Sequence, residues 1–142
     1  VTRARDVATP ARLAPVAKVR LAAEIVVSYV RGRWRLRRSG LRAAVAEQRA
    51  VGARSHRAVD GVVVGRRLGR AVQLTLALLP SDTRCLAQSL TLTRLLAARG
   101  VDSRLVIGVQ PGERFAAHAW VEHAGVPLLP PGADRFEELV TL

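Results

Sequence analysis

The sequence predicts an α+β chain with a helical N-terminal half. The C-terminal half is expected to pack one helix on a small antiparallel sheet. Three observations carry this. Apolar residues recur at spacings of three and four as far as Leu96. After Gly100 the pattern changes to short Val- and Ile-rich stretches between Gly and Pro turns. The charge divides with the pattern: residues 1–71 carry a net +13 and residues 72–142 a net −1, within an overall +12. The expected division is a basic helical region over 1–54 and a core over 55–142. Hydrophobic residues make up 49% of the 142, enough for a sizeable core and against global disorder. Aromatic residues are only 4%, so Leu, Val and Ala must fill most of that core.

The helices follow from local signals. Pro15 suits the first turn of a helix. Val16, Val19, Ala22, Val26 and Tyr29 then share one helical face. A basic run follows, Arg31, Arg33, Arg35, Arg37 and Arg38, with Trp34 and Leu36 inside it. Gly40 is expected to end this helix, and Leu41 to Ala50 to form a shorter one. A third helix is expected from an Asp60 N-cap to Leu79, with Val64, Leu68, Val72, Leu76 and Leu79 as its stripe. Gly61, Gly65 and Gly69 share one face of it. They either allow close packing against another helix or shorten this one, since each costs ~1 kcal/mol relative to Ala. Pro80 stops it.

Ser81 or Asp82 is the expected N-cap of the next helix. Leu86, Leu90, Leu92, Leu95 and Leu96 surround that helix, which marks it as central and buried. Gly100 is its expected C′ residue. Strands are expected over Ser103 to Val109 and Phe115 to His123, with a short third over Val126 to Leu129. Asp134 is expected to cap a last short helix over Phe136 to Leu139.

A single cysteine excludes an internal disulfide and a zinc site built on several thiolates. It suggests a reducing, cytoplasmic setting. The best apolar stretch, Leu21 to Val30, contains Glu24 and falls far short of the ~20 residues a membrane span requires. Val1 to Pro15 has no apolar core of a secretory signal.

Cys85 falls in the first turn of the helix after Pro80. Backbone N–H groups there carry partial positive charge, which favours a thiolate and can hold an oxyanion. The alternative is a small buried hydrophobe. His118 lies in Ala117-His118-Ala119-Trp120-Val121-Glu122. Strand alternation sends His118, Trp120 and Glu122 one way and Ala117, Ala119 and Val121 the other. A histidine beside a tryptophan is a candidate general base in a partly dry site, or a half-buried sheet residue. His123, next to a turn, is expected to be solvated, and His56 has no expected role. Cys85 and His118, 33 residues apart in that order, give the papain-like layout of nucleophile and base.

Four segments together resemble one family. They are Arg84-Cys85-Leu86-Ala87-Gln88-Ser89-Leu90, Leu95-Leu96-Ala97-Ala98-Arg99-Gly100, Leu105-Val106-Ile107-Gly108-Val109, and Ala117-His118-Ala119-Trp120-Val121-Glu122. The chain resembles the transglutaminase-like cysteine peptidases that remove leader peptides during lasso-peptide maturation, best from Pro80 to Gly125. The resemblance implies a transglutaminase/papain-like fold over the C-terminal half. It implies Cys85 as nucleophile, His118 as base, a thioester acyl-enzyme, and neither metal nor bound cofactor. The family usually places an Asp about one hairpin after the His. Here that stretch reads Leu128-Leu129-Pro130, so Asp134 is the candidate orienter. A Cys-His dyad, or a plain N-cap role for Asp134, stays open.

The basic half will attract something anionic. Only Tyr29 and Trp34 there could stack on bases, so nucleic acid is not expected, although a basic nucleic-acid-binding adaptor is the competing class. A membrane surface with Trp34 as anchor stays open. The resemblance implies a precursor peptide with its leader, a separate leader-recognition protein and, by extension, the ring-closing cyclase. A transglutaminase-type acyl transfer by the same Cys85 and His118 is the alternative chemistry.

Overall fold

The computed structural model describes residues 14–50, 60–78, 84–110, 116–129 and 136–142. Three helices precede a four-stranded sheet: α1 (Pro15–Ala50), α2 (Gly61–Leu76), α3 (Arg84–Ala97), β1 (Arg104–Gln110), β2 (Ala116–His123), β3 (Val126–Pro127) and β4 (Glu137–Thr141). The sheet is antiparallel, in the order β3-β2-β1-β4. This is the α+β class the sequence predicts.

Gly40 interrupts α1 with φ 76° and ψ 173°, a backbone that only glycine adopts without strain. Two helical limbs result, as expected. The first buries Ile25, Ser28 and Gly32, and the second Ala44, Val45 and Gln48. Asp60 caps α2 by accepting from the Val63 N–H at 3.1 Å. The helix ends at Leu76 and Ala77, short of Leu79. Leu79, Pro80, Ser81 and Asp82 lie outside the described residues.

α3 is the centre of the fold. Leu90, Leu92, Leu95 and Leu96 are all at or below 1% exposure, although they point in different directions around the helix. Leu92, Leu95 and Leu96 share a cluster with Ile25 of α1, Leu68, Val72 and Leu76 of α2, and Val121 of β2. Leu90 enters a second cluster with Ala44 and Val45 of α1 and Leu105 of β1. The helix ends in a Schellman turn: the Val101 N–H donates to the Leu96 carbonyl at 2.9 Å and the Gly100 N–H to Ala97 at 3.0 Å. Gly100 takes φ 69°, as a C′ glycine should. The turn reverses the chain, so β1 runs back along α3.

Two expectations are corrected. Phe136 to Leu139 is not a helix: Glu137–Thr141 is an edge strand, β4, paired to β1 with an irregularity opposite Ile107 and Gly108. Its backbone groups find partners on β1, which a short exposed helix could not offer. The third strand is also shorter than expected, covering only Val126–Pro127.

The glycine face of α2 does permit close packing, but not against a helix. A Cβ at Gly65 would lie 2.5 Å from Leu128 Cδ1, and one at Gly69 would lie 2.6 Å from the Leu128 carbonyl oxygen. A Cβ at Gly61 would collide with the His123 ring. The segment after β3 therefore lies directly on α2. His123, expected to be solvated, is half-exposed: its Nδ1 sits 2.5 Å from the Asp102 carbonyl and its ring lies over Gly61.

Arg99 ties α3 to α1 through a two-pronged pair with Glu24, at 3.0 and 2.9 Å. Arg49 of α1 donates to the Ser103 and Leu142 carbonyls at 2.5 and 2.6 Å, joining the start of β1 to the end of β4.

Gly69→Ala gives a clean test of this packing. At an exposed helix position the change would gain ~1 kcal/mol from propensity. Here the new methyl meets backbone, so we expect a net loss of about 1–3 kcal/mol in urea unfolding.

Candidate active site

The candidate nucleophile is set by α3. Cys85 is the second residue of that helix, half-buried and unbridged. Leu86, its neighbour, packs at the edge of the cluster formed by Leu90, Leu105, Ala44 and Val45, where Ile107 also enters. Because α3 and β1 run in opposite directions, Cys85 lies toward the Gln110 and Ala116 ends of the hairpin. His118 is two residues in from that end. N–H groups in the first turn of a helix point outward along its axis and can hold negative charge.

The candidate base is set by β2. Leu105 pairs with Val121, and both enter the helix-side core. His118 pairs with Gly108, and Trp120 with Val106, on the opposite face. The alternation read from the sequence is therefore the one observed. On this second face the imidazole stacks on two rings, Trp120 at 6.2 Å and Phe136 at 5.2 Å between centroids. The Trp120 indole N–H donates to Glu122 Oε1 at 2.9 Å. Arg104 lies 3.6 Å from the other oxygen of that carboxylate. Glu122 thus holds the indole that lies against His118.

Gly108 makes this arrangement possible. A Cβ there would lie 2.8 Å from Phe136 Cβ and 2.9 Å from the edge of the Trp120 ring. Any side chain would displace one of the rings that flank His118. Neither Gly108 nor Phe136 is identified by the sequence as part of the site. The glycine inside an apolar strand was a usable signal, since it often marks a close approach. Phe136 gave none, because its position depends on β4.

Cys85 and His118 lie toward the same end of the hairpin but on opposite sides of the sheet, the thiol at the N-terminus of α3 and the imidazole on the outer face. Among the described residues no hydrogen bond joins them. Asp134 lies outside the described residues, as does His56. Glu122 is engaged by Trp120 and Arg104. Among the described residues no cluster of three His, Cys, Asp or Glu side chains could hold a metal ion. No described helix is long and apolar enough to cross a membrane. An open, mostly apolar groove of about 380 Å³ lies beside the Gly40 kink, bordered by Leu41, Arg42, Ile107, Val140 and Leu142.

This architecture has a counterpart in known proteins. The family model of the transglutaminase-like superfamily matches residues 21–141. The chain belongs to the transglutaminase-like superfamily. Neither the curated proteins nor the solved structures compared with it include a match. The matched span takes in α1 from Leu21 onward, all of α2 and α3, and the sheet. In the transglutaminase-like superfamily a cysteine peptidase or acyl-transfer chemistry is the expected kind.

The Trp120–Glu122 contact is open to direct measurement. Glu122→Leu leaves a nearly buried indole N–H without its charged acceptor and should cost about 1–3 kcal/mol in chemical unfolding. Glu122→Gln keeps an acceptor oxygen and should cost less. The same order should appear in the ring-current shifts of the His118 imidazole protons, since both variants act on it through Trp120.

Proposed function

We propose that this member of the transglutaminase-like superfamily is a cysteine peptidase that removes the leader from a lasso-peptide precursor, working with a separate leader-recognition protein. The observation that carries the reading is Cys85 in the first turn of the central helix, at the hairpin end that bears His118, in a chain matched by the transglutaminase-like family over 21–141. The four-segment resemblance to leader peptidases supplies the substrate class.

In this mechanism Cys85 Sγ attacks the scissile carbonyl as His118 takes the thiol proton. The oxyanion is held by N–H groups of the α3 first turn. His118 returns the proton to the leaving amine, and a thioester remains. Water, deprotonated by His118, then hydrolyses the thioester and frees Cys85. Because His118 stacks on Trp120 and Phe136 on the outer sheet face, this mechanism requires the imidazole to turn round the Ala116 end of β2 to reach Cys85 when substrate binds. Asp134 is the proposed orienter of the imidazole. The groove beside Ile107 adjoins the cluster that Leu86 enters and suits an apolar substrate side chain.

The test is incubation with a candidate precursor and its leader-binding partner, read by mass. The expected products are leader and core peptide differing from the precursor by one water. Cys85→Ala and His118→Ala should each lower the rate by on the order of 10³-fold or more, without a loss of folding. Asp134→Asn should lower it by at least about tenfold. Equal cleavage by wild type and Cys85→Ala would remove the nucleophile role. A product linked to an added amine would instead establish acyl transfer.

A further inference from the structure

The first limb of α1 has two apolar faces. One is buried, with Leu21, Ile25, Ser28 and Gly32 turned toward α2 and α3. The other faces outward. Val16, Val19, Val27, Val30 and Trp34 are 79, 70, 55, 58 and 46% exposed, and Val26 is 39% exposed. At 100° per residue these side chains fall within about 100° of one another, opposite the buried face. Val16, Val19, exposed Ala23, Val26 and Val30 follow spacings of three, four, three and four. That is the 3.5-residue seam along which one helix packs against another.

Charge borders this seam on both sides. Arg20, Arg31 and Arg38 flank it on one side and Arg33 on the other, and Arg37 continues the face beyond Trp34, all exposed. Residues 15–38 hold seven basic side chains against Glu24 alone, and Glu24 is paired inward with Arg99. Arg35 and Arg38 also lie over the Trp34 ring, at 5.1 and 4.4 Å. They present it at the C-terminal end of the seam.

We propose that the outward face of α1 from Val16 to Arg38 docks an acidic amphipathic α-helix of a partner protein. The apolar seam fixes the partner as a helix, and the flanking arginines fix its sign. A second copy of this chain would set two strongly basic faces together. A bilayer is the poorer fit. Helices that lie in a membrane interface present long or aromatic side chains to the acyl region, whereas this seam is built of short, β-branched valines with one tryptophan. The surface is distinct from Cys85 and His118, so the proposal stands or falls apart from the catalytic reading.

The experiment uses the full chain and a labelled synthetic peptide of about four heptads, with Leu at a and d and Glu at e and g. A twin carries Lys in place of Glu. The expected result in fluorescence anisotropy is that the Glu peptide binds at least about tenfold more tightly than the Lys twin, and more weakly as salt rises. Val26→Asp with Val30→Asp should weaken binding by at least about tenfold at an unchanged melting temperature, because both positions are exposed. Arg33→Glu with Arg37→Glu provides a second variant that leaves the seam intact and should erase the preference for the acidic peptide. Equal binding of the two peptides, or binding indifferent to both variants, overturns the proposal. So does a dimer in light scattering that the aspartate variant dissociates, which assigns the face to a second copy. Seam-dependent binding to phosphatidylglycerol vesicles without binding of the acidic peptide assigns it to a bilayer.

Discussion

Burial of α3 on every side is the constraint on which the rest of the fold depends. A 14-residue helix with Leu90, Leu92, Leu95 and Leu96 all at or below 1% exposure must be covered from several directions at once. Each buried leucine contributes about 1.5–3 kcal/mol relative to an exposed one, so no single neighbour could supply the stabilisation alone. α1, α2 and the sheet divide the task. The basic N-terminal half therefore helps to enclose α3: Ile25 reaches one cluster, and Ala44 and Val45 the other. The kink at Gly40 lets the two limbs of α1 approach α3 along different lines. The N-terminus of α3, which carries Cys85, is held from the interior outward.

The sheet transmits that constraint to its other face. Val121 and Leu105 anchor the helix side, and alternation then turns His118, Trp120 and Glu122 outward. The outer face is finished by aromatic rings and a carboxylate rather than by a helix. Gly108 leaves the space, Phe136 and Trp120 fill it, and Glu122 satisfies the indole N–H. The imidazole stacks on both rings, at 6.2 and 5.2 Å between centroids. The stack depends on β1 and β4 together, because Gly108 belongs to one and Phe136 directly precedes the other.

Much of this was legible in the residues because the signals were local. The Asp60 cap, the Gly40 break, the Gly100 reversal and the alternation through His118 each depend on a few neighbouring side chains. The all-round leucines of α3 are also readable, since leucines on every side of a helix require cover on every side. What could not be read depends on distant partners. Glu137–Thr141 has two adjacent acids, an exposed Leu139 and no alternation, and becomes a strand because β1 offers it a ladder. The glycines of α2 announced a close approach without saying to what, and the answer, Leu128 and His123, lies about sixty residues away along the chain. Phe136 could not be joined to His118 while β4 was expected to be a helix. Asp134 lies outside the described residues, so its part in the site rests on the resemblance alone.

The arginines divide by the same logic. Arg49 and Arg99 are engaged by carbonyls and by Glu24, while Arg35 pairs with Glu47 across the Gly40 kink. These three join parts of one molecule. Half-exposed pairs of this kind add little to stability, but they set the geometry in which the limbs meet. Arg20, Arg31, Arg33, Arg37 and Arg38 remain exposed, and they cluster around valines that the core does not use. A merely solvated face gains nothing from valines set at helix-packing intervals, and their exposure costs hydrophobic free energy at each position. A coding bias toward arginine would account for the charge but not for that spacing. The coincidence of seam and charge on one face of α1, opposite the face that encloses α3, is the ground for proposing that a partner helix docks there.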